Sequence, residues 1–191
     1  MAEMTWELFH HQVEACGLCP LHEGILHKVP GQGDEHAPLM LIGEGPGQVE
    51  DETGRPFVGP AGQLLDKMLA AIGHSREDVY IANVVKCRPP SNRVPLPEEA
   101  QACLPYLRAQ FLLIKPKILV CLGSTAARNI IRSDIRITRE RGQWTQRKGV
   151  WMLPTYHPSA LLRDQTGAKK REAWEDLKAL RVKELELGLR E

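Results

Sequence analysis

LMLIGEGPGQVEDETGRPFVG, residues 39 to 59, begins as an unbroken apolar run and stops at a glycine-rich loop. An apolar run of this length without polar alternation, ended by Gly, reads as a strand covered on both faces. Three similar runs follow: VYIANVVKC (79 to 87), ILVCLGS (118 to 124) and WMLPTYH (151 to 157). Helical patterns lie between them in AGQLLDKMLAAIG (61 to 73), in PEEAQACLPYLRAQFLLIK (97 to 115, with an interruption expected at Pro105) and in STAARNIIR (124 to 132). Strand alternating with helix predicts an α/β fold, a parallel sheet with helices on both faces. TWELFHHQVEAC near the start and AKKREAWEDLKALRVKELELG near the end read as amphipathic helices flanking that sheet. No repeat, linker or composition break divides the chain, so residues 1–191 are expected to form one domain.

Open α/β sheets bind ligands beyond the carboxyl ends of their strands. That rule selects four loops here: GEGPG, KCRPPSNR, GSTA and YHPSALLR, with Glu44, Asn83 and His157 at or near the strand ends. The first loop has the glycines of a phosphate cradle but not its pattern. Gly43, Gly45 and Gly47 enclose Pro46, and no Gly-Lys-Ser/Thr follows. Glu44, Glu50, Asp51 and Glu52 would repel an anion at this point. Glycines that let backbone approach closely suit a flat, neutral base instead.

With 191 residues, 42% of them apolar, the chain can bury a core of its own. It holds no apolar run of 18 residues, and its first twenty residues lack a basic segment followed by an apolar one. No membrane association and a cytoplasmic location are therefore expected. The net charge of +1 hides a division: residues 115–171 hold 13 Lys and Arg against 3 Asp and Glu, which leaves about −9 for the remainder. Such segregation suits a polyanion, nucleic acid first, with scattered solvated arginines as the alternative.

Five cysteines in a chain expected to stay in a reducing compartment point to metal or reactivity more than to disulfides. Cys16 and Cys19 form a Cys-x2-Cys pair, and Cys87 and Cys103 follow singly. Four such thiolates can hold zinc or an iron-sulfur cluster, and the split of the second pair favours the cluster. Cys121, inside ILVCLGS, is expected to be core.

GEGPGQVEDETGRPFVGPAGQLLD, NVVKCRPPSNRVPLPEE and TYHPSALLR, with the cysteine spacing, resemble the iron-sulfur uracil-DNA glycosylases of the thermostable type, family 4. The resemblance runs from about Cys16 to the terminal helix. It implies a three-layer α/β/α sandwich with a central four-stranded parallel sheet, a [4Fe-4S] cluster on Cys16, Cys19, Cys87 and Cys103, and hydrolysis of the bond between uracil and its sugar in DNA. It implies uracil-containing DNA as the partner, and a monomer is expected. Phe57 would stack on an extruded uracil beside Gly45, and Asn83 would read its edge, since a carboxamide offers one donor and one acceptor. His157 would meet uracil O2 and stabilise the charge that grows on the leaving base. Leu161 would enter the duplex as a wedge, with Ser159 and Arg163 on phosphates.

Gly45 stands where better-known uracil glycosylases carry aspartate. Glu44 is therefore expected to orient water or stabilise the sugar cation, with Glu50 and Asp51 as runners-up. Glu50 is also a candidate to border the 5-position of the base and exclude thymine. Relatives with broader base specificity carry an apolar residue at the position of Glu44. Relatives that become covalently trapped carry a histidine after the second motif, absent from SNRVP, so turnover is expected. The alternative function is an iron-sulfur protein that captures an extruded base in nucleic acid without cleaving it.

Overall fold

The computed structural model describes residues 4–190. The chain starts with α1 (Trp6–Glu14), whose first turn is capped by the Thr5 hydroxyl accepting from the Leu8 N–H at 3.2 Å. A loop then leads to the two-residue strand β1 (Gln32–Gly33) and to β2 (Leu39–Gly43). Next come α2 (Gln48–Thr53), α3 (Pro60–Ala71), β3 (Tyr80–Asn83), α4 (Pro97–Ile114), β4 (Ile118–Leu122) and α5 (Ser124–Ile130). The rest is α6 (Ile137–Glu140), β5 (Thr145–Arg147), β6 (Val150–Thr155), α7 (Pro158–Leu162) and α8 (Ala168–Glu186).

The sheet is mixed and six-stranded, in the order β1-β3-β2-β4-β6-β5. β3, β2, β4 and β6 pair in parallel, while β1 and β5 add antiparallel edges. The expectation of four parallel strands thus omits two short ones. β1 has only two residues, and β5 is the polar Thr-Gln-Arg, so neither carries an apolar signal. β5 is set by its turn, where Lys148 and Gly149 have φ of 51° and 82°, the left-handed pair that a two-residue hairpin needs. VYIANVVKC also yields a strand only over Tyr80–Asn83. The helix expected to break at Pro105 runs through it. Pro105 is exposed, so the Gln101 carbonyl left without its N–H partner faces water.

Every residue of β2 and β4 is buried, as strands covered on both faces require. Their register matters for function. Gly43 pairs with Asn83, Ile42 with Cys121 and Leu122 with Thr155, so four parallel strands end along one edge. The chain leaves β2 toward β3 on one side and later returns to place β4 on the other. The reversal opens a crevice at the carboxyl ends of β2 and β4.

Candidate active site

The loop after β2 is shaped by one carboxylate. Glu50 accepts backbone N–H bonds from Val58 at 2.9 Å and Gly59 at 2.7 Å on one oxygen, and from Gly47 at 3.1 Å on the other. Three donors satisfy this buried side chain and tie both ends of the loop together. Glu50 lines the cavity wall, but its oxygens are engaged by backbone. Asp51 is also buried and points elsewhere, accepting from Leu26 N–H at 3.0 Å and His27 N–H at 3.3 Å. Of the two runners-up for the water, one is a loop clasp and the other an anchor for the segment before β1.

Phe57 sits at φ 50°, a left-handed conformation that costs a bulky residue roughly 1–2 kcal/mol. Its surroundings hold it there. The Arg76 guanidinium donates to the carbonyls of Phe57 and, at 3.3 Å, Pro56, while pairing with Asp66 at 2.8 Å. Gly62 in α3 lies so close to the Phe57 carbonyl that a Cβ there would overlap it. Gly43 is constrained from the other side: a Cβ would fall on the Phe57 ring and 2.6 Å from Asn83 Oδ1. Glycine at 43 is thus what brings platform and amide together. Gly45 is held to glycine by Val85, whose methyl would lie 2.7 Å from a Cβ, so aspartate would require Val85 to move.

Asn83 ends β3, is 2% exposed, and its Oδ1 is buried without a hydrogen-bond partner in the protein. Its backbone is fixed from below. The buried Lys86 ammonium donates to the Asn83 carbonyl at 2.9 Å and to Gln110 Oε1 at 2.6 Å. Gln110 in turn donates to Tyr80 Oη at 3.0 Å and the Pro30 carbonyl at 2.7 Å. Burial pulls the Lys86 ammonium down to about 8.

His157 caps α7. Its Nδ1 accepts the Ser159 N–H at 3.1 Å and lies 2.8 Å from the Ser159 hydroxyl. A ring nitrogen that accepts from backbone carries no proton, so the neutral imidazole bears its proton on Nε2. Burial lowers the pKa to about 4, and the Arg163 charge adds to this. The ring lies 5.5 Å from that of Phe57, tilted by 31°. Glu44 is fixed by its carbonyl, which accepts from Val85 N–H at 3.2 Å, and by its carboxylate, which accepts from the Thr125 hydroxyl.

Glu44, Gly45, Glu50, Phe57, Asn83, His157, Ser159 and Arg163 all line one open cavity of about 590 Å³. Leu161 does not. It is 2% exposed and packed in the main core, where it holds α7 to the body. Its neighbour Leu162 is 49% exposed. The period of a helix decides this, because adjacent residues point about 100° apart.

Cys16, Cys19, Cys87 and Cys103 line a second cavity, between α1, the loop after β3 and α4. Lys28 Nζ donates to the Cys16 carbonyl at 2.6 Å, and Lys86 N–H donates to Cys103 Sγ at 3.3 Å. His22 lines the same cavity and bonds the Cys19 carbonyl at 2.7 Å. Burial pushes the Cys87 thiol up to about 12 and raises Cys103 as well. Among the described residues no three His, Cys, Asp or Glu side chains are grouped as a single ion needs. Cys121 lies wholly inside the core. Part of the basic stretch is structural, since Arg132 pairs with Asp134 and Glu140, and Arg141 with Glu172 and Asp176.

Sequence reasoning passed over Arg76, Thr125, Lys86 and Gln110. Lys86 left one signal, a lysine inside an otherwise apolar run; Thr125 lies in a loop already selected, GSTA, yet nothing in its neighbours marks it.

Residues 30–178 match the model of the uracil DNA glycosylase superfamily. The chain is 45% identical over 179 residues to the type-4 uracil-DNA glycosylase of Thermotoga maritima, covering 92% of each. It is 46% identical over 161 residues to that of Archaeoglobus fulgidus, covering 79% of this chain and 80% of the relative. The fold is shared with the crystal structure of wild-type Pedobacter heparinus SMUG2, at a TM-score of 0.52 and 14% identity over 77% of this chain and 76% of that one. No helix among the described residues is long and apolar enough to cross a membrane. By the extent and identity of these matches, the chain belongs to the uracil DNA glycosylase superfamily and, within it, to the type-4 family.

Proposed function

We propose that this protein excises uracil from DNA by flipping the base into the Phe57 cavity and hydrolysing its bond to the sugar. The observation that carries the proposal is the buried Asn83 Oδ1 without a partner. An orphaned acceptor inside a folded protein costs free energy on the order of 1–3 kcal/mol, a cost that a ligand's N–H can remove. Uracil supplies that donor at N3 and an acceptor at O4 for the Asn83 amide, whereas cytosine has an unprotonated N3 and an amino group in place of O4. The base stacks on Phe57, which Arg76 holds in its left-handed conformation.

As the glycosidic bond breaks, negative charge spreads over the base. The Nε2–H of neutral His157 donates to O2, stabilising the transition state more than the ground state. The carboxylate of Glu44 orients the attacking water or stabilises the positive sugar. Leu162 and Arg163, both exposed beside the cavity, fill the vacated stack and meet the phosphates. Capture without cleavage is not favoured, because a pocket for recognition alone needs neither carboxylate nor oriented imidazole.

The four cysteines suit a [4Fe-4S] cluster: they share one cavity, and each thiolate of such a cluster binds a different iron, so they need not converge as four zinc ligands must. The group would join α1 to the loop after β3 and to α4, with a structural role. A labelled oligonucleotide containing one uracil, incubated with the protein and then treated with alkali, tests the function. Scission at the uracil supports it; retention of the oligonucleotide in a gel shift without scission would support the capture reading.

A further inference from the structure

We propose that Thr125 is the positioning residue for Glu44, setting the direction of the carboxylate that serves water and sugar. The inference rests on the reading of Glu44 as that carboxylate. Among the described residues, the Thr125 hydroxyl is the only group hydrogen-bonded to the Glu44 side chain. The backbone on either side is already fixed, with Val84 N–H donating to the Gly43 carbonyl at 3.0 Å and Val85 N–H to that of Glu44. Only the side-chain torsions of Glu44 remain free, and the Thr125 bond determines them.

Thr125 is suited to the task. It stands in the first turn of α5, directly after β4, so it faces Glu44 across the β2/β4 crevice. A β-branched side chain in a helix has few χ1 choices, which directs the hydroxyl. The Asn129 amide donates to the Thr125 carbonyl at 2.8 Å and steadies the turn. Thr125 does not line the base cavity. An effect of its substitution on rate therefore passes through Glu44 and not through contact with the base. The bond consumes one oxygen of Glu44 and leaves the other for the cavity.

The test is a double-mutant cycle in single-turnover excision, with uracil-DNA affinity and thermal midpoint measured for each variant. Thr125→Val keeps the shape and removes the donor. It is expected to slow excision by about tenfold to a hundredfold, the range for losing a hydrogen bond to a charged group, with affinity unchanged. Thr125→Ser restores the hydroxyl and most of the rate. In the Glu44→Gln background, Thr125→Val is expected to have little further effect. Should Thr125→Val fold poorly, Thr125→Ala carries the same cycle. A parental rate for Thr125→Val, or an equal loss in both backgrounds, overturns the inference while leaving Glu44 in place. A parental rate for Glu44→Gln overturns the catalytic reading of Glu44 and the inference with it.

Discussion

The base cavity and the cysteine cavity are each assembled from segments far apart in the chain, but they are finished in opposite ways. In the base cavity every supporting group has a protein partner. Glu50 takes three backbone N–H bonds, His157 Nδ1 takes the Ser159 N–H, Glu44 takes Thr125, and Lys86 holds the carbonyl of Asn83. What is left over is the Oδ1 of Asn83, buried without a partner in a residue that lines the cavity, as His157 does. In the cysteine cavity Lys28 holds the Cys16 carbonyl and the Lys86 N–H donates to Cys103 Sγ, while burial raises the pKa of both Cys87 and Cys103. Thiolates form there when positive charge arrives, as a metal centre provides. The first cavity is preorganised by hydrogen bonds; the second gathers four thiols whose ionisation burial opposes. They meet at Lys86, whose backbone N–H serves Cys103 and whose ammonium serves Asn83.

The contrast predicts that damage to the two cavities separates into loss of fold and loss of rate. The largest effect is expected for Cys103→Ala: visible absorbance is lost and the thermal midpoint falls further than for any cavity-lining substitution, with excision failing as a consequence. A Cys103→Ala protein with parental midpoint would remove the structural role from the cluster. Next come Glu44→Gln and His157→Ala, which should slow single-turnover excision by about 10²–10⁴ and 10²–10³ respectively with absorbance retained; the midpoint should stay near the parental value for Glu44→Gln and fall modestly for His157→Ala, which loses the cap of α7. Either variant at the parental rate removes that residue from the chemistry.

A smaller and sharper division is expected within α7. Leu161→Ala should destabilise the fold by about 2–5 kcal/mol, as deletion of a buried leucine does, lowering the midpoint by several degrees. Leu162→Ala should leave stability within roughly 0.5 kcal/mol and slow excision from duplex DNA more than from single strands. The reverse pattern would return the wedge to Leu161.

The smallest effect is on pH. With His157 at about 4 against an ordinary 6.5, the unfolded chain binds the proton first between those values. The contribution of the neutral ring is complete above pH 6.5, is lost as pH falls toward 4, and levels off below. Protonation also ends the cap, since Nδ1–H cannot accept from Ser159. The midpoint of the parental protein should therefore drop more between these values than that of His157→Ala, and an NMR titration should find the imidazole still neutral at pH 5.5, between the folded and ordinary pKa values.

Much of the fold was legible because burial on both faces writes itself as uninterrupted apolar runs. β2, β4 and β6 fall inside the runs read as strands to within one residue, and register along the sheet then follows from their common ends. β1 and β5 were not, for they lie at edges where pairing and a left-handed turn suffice and no side chain needs to be apolar. The candidate residues Glu44, Asn83 and His157 were legible at or near strand ends, and Phe57 through the resemblance of its motif. Their states were not: that Glu50 is a clasp, that Asn83 keeps a free acceptor, and that His157 carries its proton on Nε2 depend on which backbone groups come within hydrogen-bond range.

The chain's order of residues by itself determined where strands end and which side chains are delivered to that edge, since both follow from local hydrophobic pattern and chain geometry. Only the tertiary structure made Leu161 buried and Leu162 exposed, and it alone set Thr125 against Glu44 and Arg76 against the Phe57 carbonyl. Those pairings join residues that are distant in the chain, or turn on a rotation of about 100° per residue about a helix axis. Such relations exist only once the elements have packed.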